Sequence, residues 1–154
     1  NRKTGLTVNP GVIHGGTRVN VVAAEALAEI DVRIARMRDA AWVERQFRAL
    51  HAADRACTVT ITGDINRPPM ERSAKAVQLF RQAKELAQVL GFALEEASTG
   101  GGSDGNFTAA LGIPTLDGMG AVGEGAHAAR ESILLKALAP RTALLAAMIA
   151  NHKA

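Results

Sequence analysis

The sequence predicts a mixed fold, α+β passing into α/β, and three observations carry that prediction. Before residue 66 apolar residues alternate over short runs, Leu27 to Ile34 most cleanly, with one stretch of helical spacing among them. After residue 70 two longer stretches have helical spacing, with a glycine-rich loop between them. Between the halves, Asn66-Arg67-Pro68-Pro69-Met70 breaks both periods, because proline fixes φ and donates no backbone hydrogen bond. Residues 1–70 are therefore expected to form a small antiparallel sheet with a helix layer. Residues 71–154 are expected to form a second unit, with helices around the loop.

In chain order, residues 5–16 read as a short strand, a turn at Asn9-Pro10-Gly11, and a second short strand ending at Gly15-Gly16. Thr17 to Val22 is a β-rich run, linked by Ala23-Ala24-Glu25 to the strand Leu27–Ile34. Within that strand Ile30, Val32 and Ile34 face one way, and Glu29, Asp31 and Arg33 the other. Ala40 to Ala52 reads as a helix with Val43, Phe47 and Leu50 on one face. Cys57 to Thr62 alternates again, with Cys57 as a packed strand residue.

In the second half Ser73 is placed to cap a helix from about Ala74 to Leu90, closed by Gly91. Val77, Phe80, Ala83, Leu86 and Val89 share its apolar face. A strand over Phe92 to Ala97 follows. Ser103 then caps a short helix reaching about Leu111, ended by Gly112 and Pro114, and Ile113–Leu116 reads as buried. After a short apolar segment at Ser132–Leu135, Pro140 suits the first turn of a last helix, with Leu144, Leu145, Met148 and Ile149 facing inward.

Composition narrows the function classes. Hydrophobic residues at 47% and charged residues at 21% of 154 are the proportions of a soluble globular protein, and composition leaves the compartment, cytoplasmic or periplasmic, unknown. No run of about 18 apolar residues exists to span a membrane. Net charge is +3, but the basic residues are scattered, aromatics make up 3% and tyrosine is absent, which argues against a nucleic-acid surface. The single Cys57 cannot form an internal disulfide. The start, Asn1-Arg2-Lys3-Thr4, is neither a methionine nor a secretion signal, so the chain is expected to be a piece of a longer one.

The stretch with most chemical content is Ser98 to Glu131. Gly100, Gly101 and Gly102 run into Ser103-Asp104-Gly105-Asn106, and a second glycine-rich loop ends at His127 with carboxylates at Glu124 and Glu131. A neutral imidazole is a good zinc ligand, but one histidine does not make a zinc site. On the residues alone, two tight turns around an ordinary strand remain an equal explanation. Arg67 presents a planar fork suited to a carboxylate from a stiff proline loop, and a solvated linker charge is its plainer reading. Arg33 is expected to pair with Asp31 or Glu29 of a neighbouring strand, and Asn20 to satisfy a neighbouring backbone group.

Taken in order, GGGSDGNF…GIPTLDGMGAVGEGAHA resembles the C-terminal signature of the co-catalytic zinc metallopeptidases. These include glutamate carboxypeptidases, aminoacylases and succinyl-diaminopimelate desuccinylases, and the glutamate carboxypeptidase branch is nearest in wording. The resemblance implies that residues 1–70 are a partial lid or dimerisation domain, supporting a homodimer. Residues 71–154 would be the C-terminal portion of the α/β catalytic domain. It implies that His127 is a ligand of one of two zinc ions per active site. Glu131 would support it from behind, or else cap a helix. Arg67 would bind the free α-carboxylate of a substrate and Arg33 its side chain. Asn20 would reach an active site, commonly that of the partner subunit. Gly101, Gly102 and Ser103 would line the pocket through backbone donors, and Asp104 would fix the loop rather than bind metal.

The family's first histidine, bridging aspartate, catalytic glutamate and remaining acidic ligands come from an N-terminal half that has no counterpart here. The lid histidine that stabilises the tetrahedral intermediate is also outside this sequence, and the proline usual in the Ala23–Glu25 link is replaced. No catalytic residue is therefore assigned to this chain, which alone is expected to be inactive. His14, His51 and His152 receive no role. The implied parent is a zinc carboxypeptidase or amidohydrolase that cleaves an amide next to a free carboxylate, in a C-terminal glutamate or an N-acyl amino acid. A desuccinylase or deacylase of the same family stays open, as does a silent dimerisation or carboxylate-binding module.

Overall fold

The computed structural model describes residues 4–151, so His152 and Asn1–Lys3 lie outside the described residues. The chain divides into two compact units with the boundary between Glu71 and Arg72. Both mix helices with small antiparallel sheets.

The first unit is built on a two-stranded ribbon, β1 (Thr7–Gly15) antiparallel to β2 (Ala26–Arg33). Val8 lies opposite Val32 and Pro10 opposite Ile30, after which the register shifts between Pro10 and Val12. The turn expected at Asn9-Pro10-Gly11 is thus a bulge within one continuous strand. Pro10 has no amide to give to a ladder, and an extra residue beside it accommodates that loss. Thr17–Val22 is not a strand either. The Val21 amide donates to the Arg18 carbonyl at 3.3 Å, folding the run into a turn that carries Asn20. A β-branched composition favours a strand only where a neighbour accepts it.

After a 3-10 turn at Met37–Asp39 comes α1 (Ala40–Arg48), with Val43 and Phe47 half-buried. The helix stops four residues short of the expected Ala52, and Leu50 is exposed. The expected strand at Cys57–Thr62 is irregular, and Cys57 is exposed rather than packed. Alternation alone makes no strand without a ladder, and among the described residues β1 and β2 pair only with each other.

The second unit centres on α2 (Ala74–Val89) and α4 (Leu135–Ala150). Ser73 caps α2 as the spacing predicts: its Oγ accepts the Ala76 amide at 3.1 Å. At the other end Gly91 adopts φ +87°, where a side chain would be strained. There the Gly91 amide donates to Gln88 and the Phe92 amide to Ala87, both at 3.0 Å, a Schellman closure. That closure turns the chain away at Phe92, and the strand expected at Phe92–Ala97 does not form.

The core is small: Ala83, Ala87, Leu94 and Leu144, with Phe80, Leu86, Phe92, Leu116, Met119 and Met148 packed around them. Its centre on α2 is the i, i+4 pair Ala83–Ala87, whose small side chains let α4 seat Leu144 fully buried. Val89, expected on the buried face, is 84% exposed. On α4, Leu144 and Met148 face inward as expected, whereas Leu145 and Ile149 are exposed. Helix α4 starts at Leu135, so Pro140 sits inside it rather than in its first turn. The cost is one helical bond, the one the Pro140 amide would have given to the Lys136 carbonyl.

Candidate functional site

The glycine-rich stretch of the second unit folds into a short helix and a short hairpin. Helix α3 (Gly105–Ala110) starts one residue later than a Ser103 cap would place it, with Asp104 at the capping position. Ser103 still organises the entrance. Its Oγ accepts the Gly105 amide at 3.1 Å, while its own amide donates to Asn106 Oδ1 at 2.9 Å. Asn106 is the one buried polar side chain among the described residues, and this exchange satisfies it. The Gly101 amide donates to Thr99 Oγ1 at 3.2 Å. Two of the backbone donors expected to face a ligand are therefore engaged within the loop. Beyond α3, Ile113 is exposed, and only Thr115 and Leu116 of the Ile113–Leu116 run are half-buried.

His127 lies in the turn of a hairpin formed by β3 (Gly123–Glu124) and β4 (Ser132–Ile133). Two successive turns make the connection: the Ala128 amide donates to Gly125 at 2.8 Å, and the Glu131 amide to Ala128 at 3.1 Å. His127 has φ +67°, the only positive φ on a residue other than glycine among the described residues. Holding an L-residue there costs about 1–2 kcal/mol, and such outliers gather at functional positions. Its imidazole is exposed at the tip of the turn, as is Glu131. Glu131 caps no helix, since the residue at the N-cap of α4 is Leu134.

The hairpin explains one glycine without recourse to a ligand. A Cβ on Gly123 would sit 2.1 Å from the Ser132 carbonyl oxygen, so the backbone brought close here is that of β4. Upstream, Arg141 reaches from α4 to hold the loop: its Nη2 donates to the Gly118 carbonyl and its Nε to the Gly120 carbonyl, the latter at 3.1 Å. A second arginine, Arg72, grips Glu96 through Nε and Nη2, with contacts of 3.2, 3.0 and 2.7 Å. The hydrogen bond from Arg72 holds the Glu96 carboxyl below its ordinary value, and Glu96 in turn raises Arg72. Neither arginine was among the sequence candidates. Both partners lie more than twenty residues away, and no local pattern marks such a contact.

The remaining candidates belong to the first unit. Arg33 Nε bonds Asp31 Oδ2 at 2.7 Å within its own strand, where residues two apart share one face of the pleat. Asn20 is exposed in the turn after β1, and Arg67 is exposed beside the half-buried Pro68 and Pro69. Among the described residues no group of three or more histidine, cysteine, aspartate or glutamate side chains gathers to hold a metal ion. One imidazole against the three or four protein ligands of a zinc site means that these residues by themselves do not fit a zinc centre. A shallow apolar depression lies elsewhere, lined by Gln88, Phe92 and Leu94, and holds none of the candidates.

The model of peptidase family M20/M25/M40 aligns with residues 3–151. No curated protein matches the chain.

Proposed function

Because the chain belongs to peptidase family M20/M25/M40, whose members are metallopeptidases, we propose that it is the C-terminal part of a zinc-dependent amidohydrolase of the carboxypeptidase type. The preferred substrate in this reading carries a free carboxylate next to the scissile amide, as in a C-terminal glutamate or an N-acyl amino acid. The glutamate carboxypeptidase branch is proposed on the wording of the Gly100–His127 signature, and a desuccinylase or deacylase is the neighbouring alternative.

The observation that carries the reading is His127. A family signature ends on it, and the fold holds it at positive φ, exposed at the tip of a turn, where a plain loop would favour glycine. In the proposal His127 gives one zinc ligand, with Glu131 as its support. Further ligands and the general base come from polypeptide outside this sequence. Arg67 grips the substrate carboxylate with its planar fork, Arg33 meets the substrate side chain, and Asn20 serves a partner subunit's site. Gly101, Gly102 and Ser103 offer backbone amides, which requires the Thr99 and Asn106 bonds to yield when substrate arrives. Residues 1–70 act as lid and homodimer interface. This chain's own contribution is thus ligation and binding, not the bond-breaking step.

One observation favours a second reading, a silent carboxylate-binding module: the described residues gather no metal-binding group. Zinc content per purified chain, after dialysis against trace zinc, tests both. The expected value is a small fraction of one ion, lowered further by His127→Ala. Close to two ions per chain would overturn the proposed division of ligands. Zinc that is unaffected by His127→Ala would favour the silent module.

A further inference from the structure

Helix α4 is apolar nearly all round, since only Lys136 and Arg141 of its 16 residues are charged. A helix of that kind is ordinarily covered on every side. Here one side is covered: Leu144 and Met148 meet the core, Ala137, Pro140 and Ala147 are half-buried, and Arg141 is engaged with the Gly118 and Gly120 carbonyls. On the opposite side Leu135, Leu138, Thr142, Leu145 and Ile149 are exposed, Leu135 by 73% and Ile149 by 70%. Their alternating spacing of three and four is the heptad seam of paired helices. Beside that ridge run Ala139, Ala143, Ala146 and Ala150, also exposed, whose small side chains leave a groove. The molecule as a whole exposes 12820 Å². A folded protein of 16.1 kDa exposes about 7,400 Å², and even two separate globules of half that mass about 9,000 Å². The surplus of about 4,000 Å² exceeds the roughly 1,000–2,500 Å² that each chain gives to an obligate dimer.

We propose that the outer side of α4 is a homodimer interface, on which the seam pairs with α4 of a second copy, antiparallel about a two-fold axis. Two features select a second copy as the occupant. The exposed side carries no charge but Lys136, so it offers little for a partner of opposite sign to read. Its ridge and its groove lie on one helix, so the same surface on a second copy supplies both halves of the fit. The antiparallel sense follows from the helix dipoles, which repel side by side when parallel and attract when antiparallel. Seam positions then stack in layers, with Leu138 against the partner's Ile149 and Thr142 against the partner's Leu145. This surface is separate from the lid interface proposed for residues 1–70.

Leu138→Glu, Ile149→Lys and the double variant test this on the full chain, by light-scattering mass and sedimentation equilibrium. The wild type should be a dimer in the micromolar range, or a larger even assembly if residues 1–70 also pair. Each single variant puts an unpaired charge into the seam and should weaken this association about tenfold or more. In the double variant each of those layers joins a glutamate to a lysine of the other copy, so association should recover. The two positions are about 16 Å apart along one helix and cannot pair within a chain. A monomeric wild type would overturn the proposal. Assembly left unchanged by both single variants would do the same, because it would place the contact elsewhere. Dissociation in both, with no recovery in the double variant, would overturn the pairing of Leu138 with Ile149. If a charged variant loses the amide protection of α2 and so fails to fold, the wild type decides. In a mixture of isotope-labelled and unlabelled copies, a nuclear Overhauser contact between the Leu138 and Ile149 methyls supports the interface. Its absence in assembled protein overturns it.

Discussion

Replacing Gly123 by alanine tests whether the His127 hairpin is shaped by close backbone approach. The new Cβ would lie 2.1 Å from the Ser132 carbonyl oxygen, whereas such contacts do not fall below 3.0 Å, so β3 and β4 must part by the difference. The same displacement applied to the 2.8 Å bond between the Leu134 amide and the Val122 carbonyl stretches it to about 3.7 Å, no longer a hydrogen bond. Losing that bond and the Gly123–Ile133 ladder contact costs about 1–3 kcal/mol. The control is Gly120→Ala on the same loop: a Cβ there meets nothing within 4 Å, and its φ is not positive. It should stay within about 0.5 kcal/mol of wild type. Urea denaturation of both variants, with Leu134 amide exchange as the local probe, measures the difference. Equal stability for the two would refute the reasoning, because it would mean that the strands separate at no cost.

Three further outcomes follow from the geometry. Leu144→Ala empties the only large side chain that is fully buried among the described residues, and should lower stability by about 2–5 kcal/mol in chemical denaturation. His127→Gly relieves a positive φ at the expense of a more flexible unfolded chain, so it should be at least as stable as wild type and about 1 kcal/mol more stable than His127→Ala. A clear loss on going to glycine would show that the imidazole makes a stabilising contact. The third concerns pH. Bonding to Arg72 lowers the folded-state pKa of Glu96, so its contribution is complete above the ordinary value of 4.5 and is lost as pH falls through the depressed one. Glu96→Gln should therefore lower the neutral plateau of a stability–pH curve by the same amount by which it flattens the acid limb below 4.5, a small one because the pair is exposed.

The sequence alone determined whatever depends on neighbours within a few residues. Ser73 and Gly91 bracket α2 as their chemistry requires, because a cap bond spans three residues and a Schellman closure five. The break around Pro68-Pro69 was legible for the same reason, and so was the chemical content of the Gly100–His127 signature. What tertiary structure decided is what depends on a partner far along the chain. Thr17–Val22, Cys57–Thr62 and Phe92–Ala97 all have strand composition, and none has a ladder among the described residues, since hydrogen bonds rather than alternation make a strand. The buried side of α2 went to Ala83 and Ala87, not to the larger Val89, because helix packing rewards small residues at the closest approach. Arg141 on the Gly118 and Gly120 carbonyls left no trace in the local pattern, and neither did the positive φ of His127. Short-range chemistry is written in the order of residues, whereas the placing of a candidate ligand depends on contacts that exist only once the chain has folded.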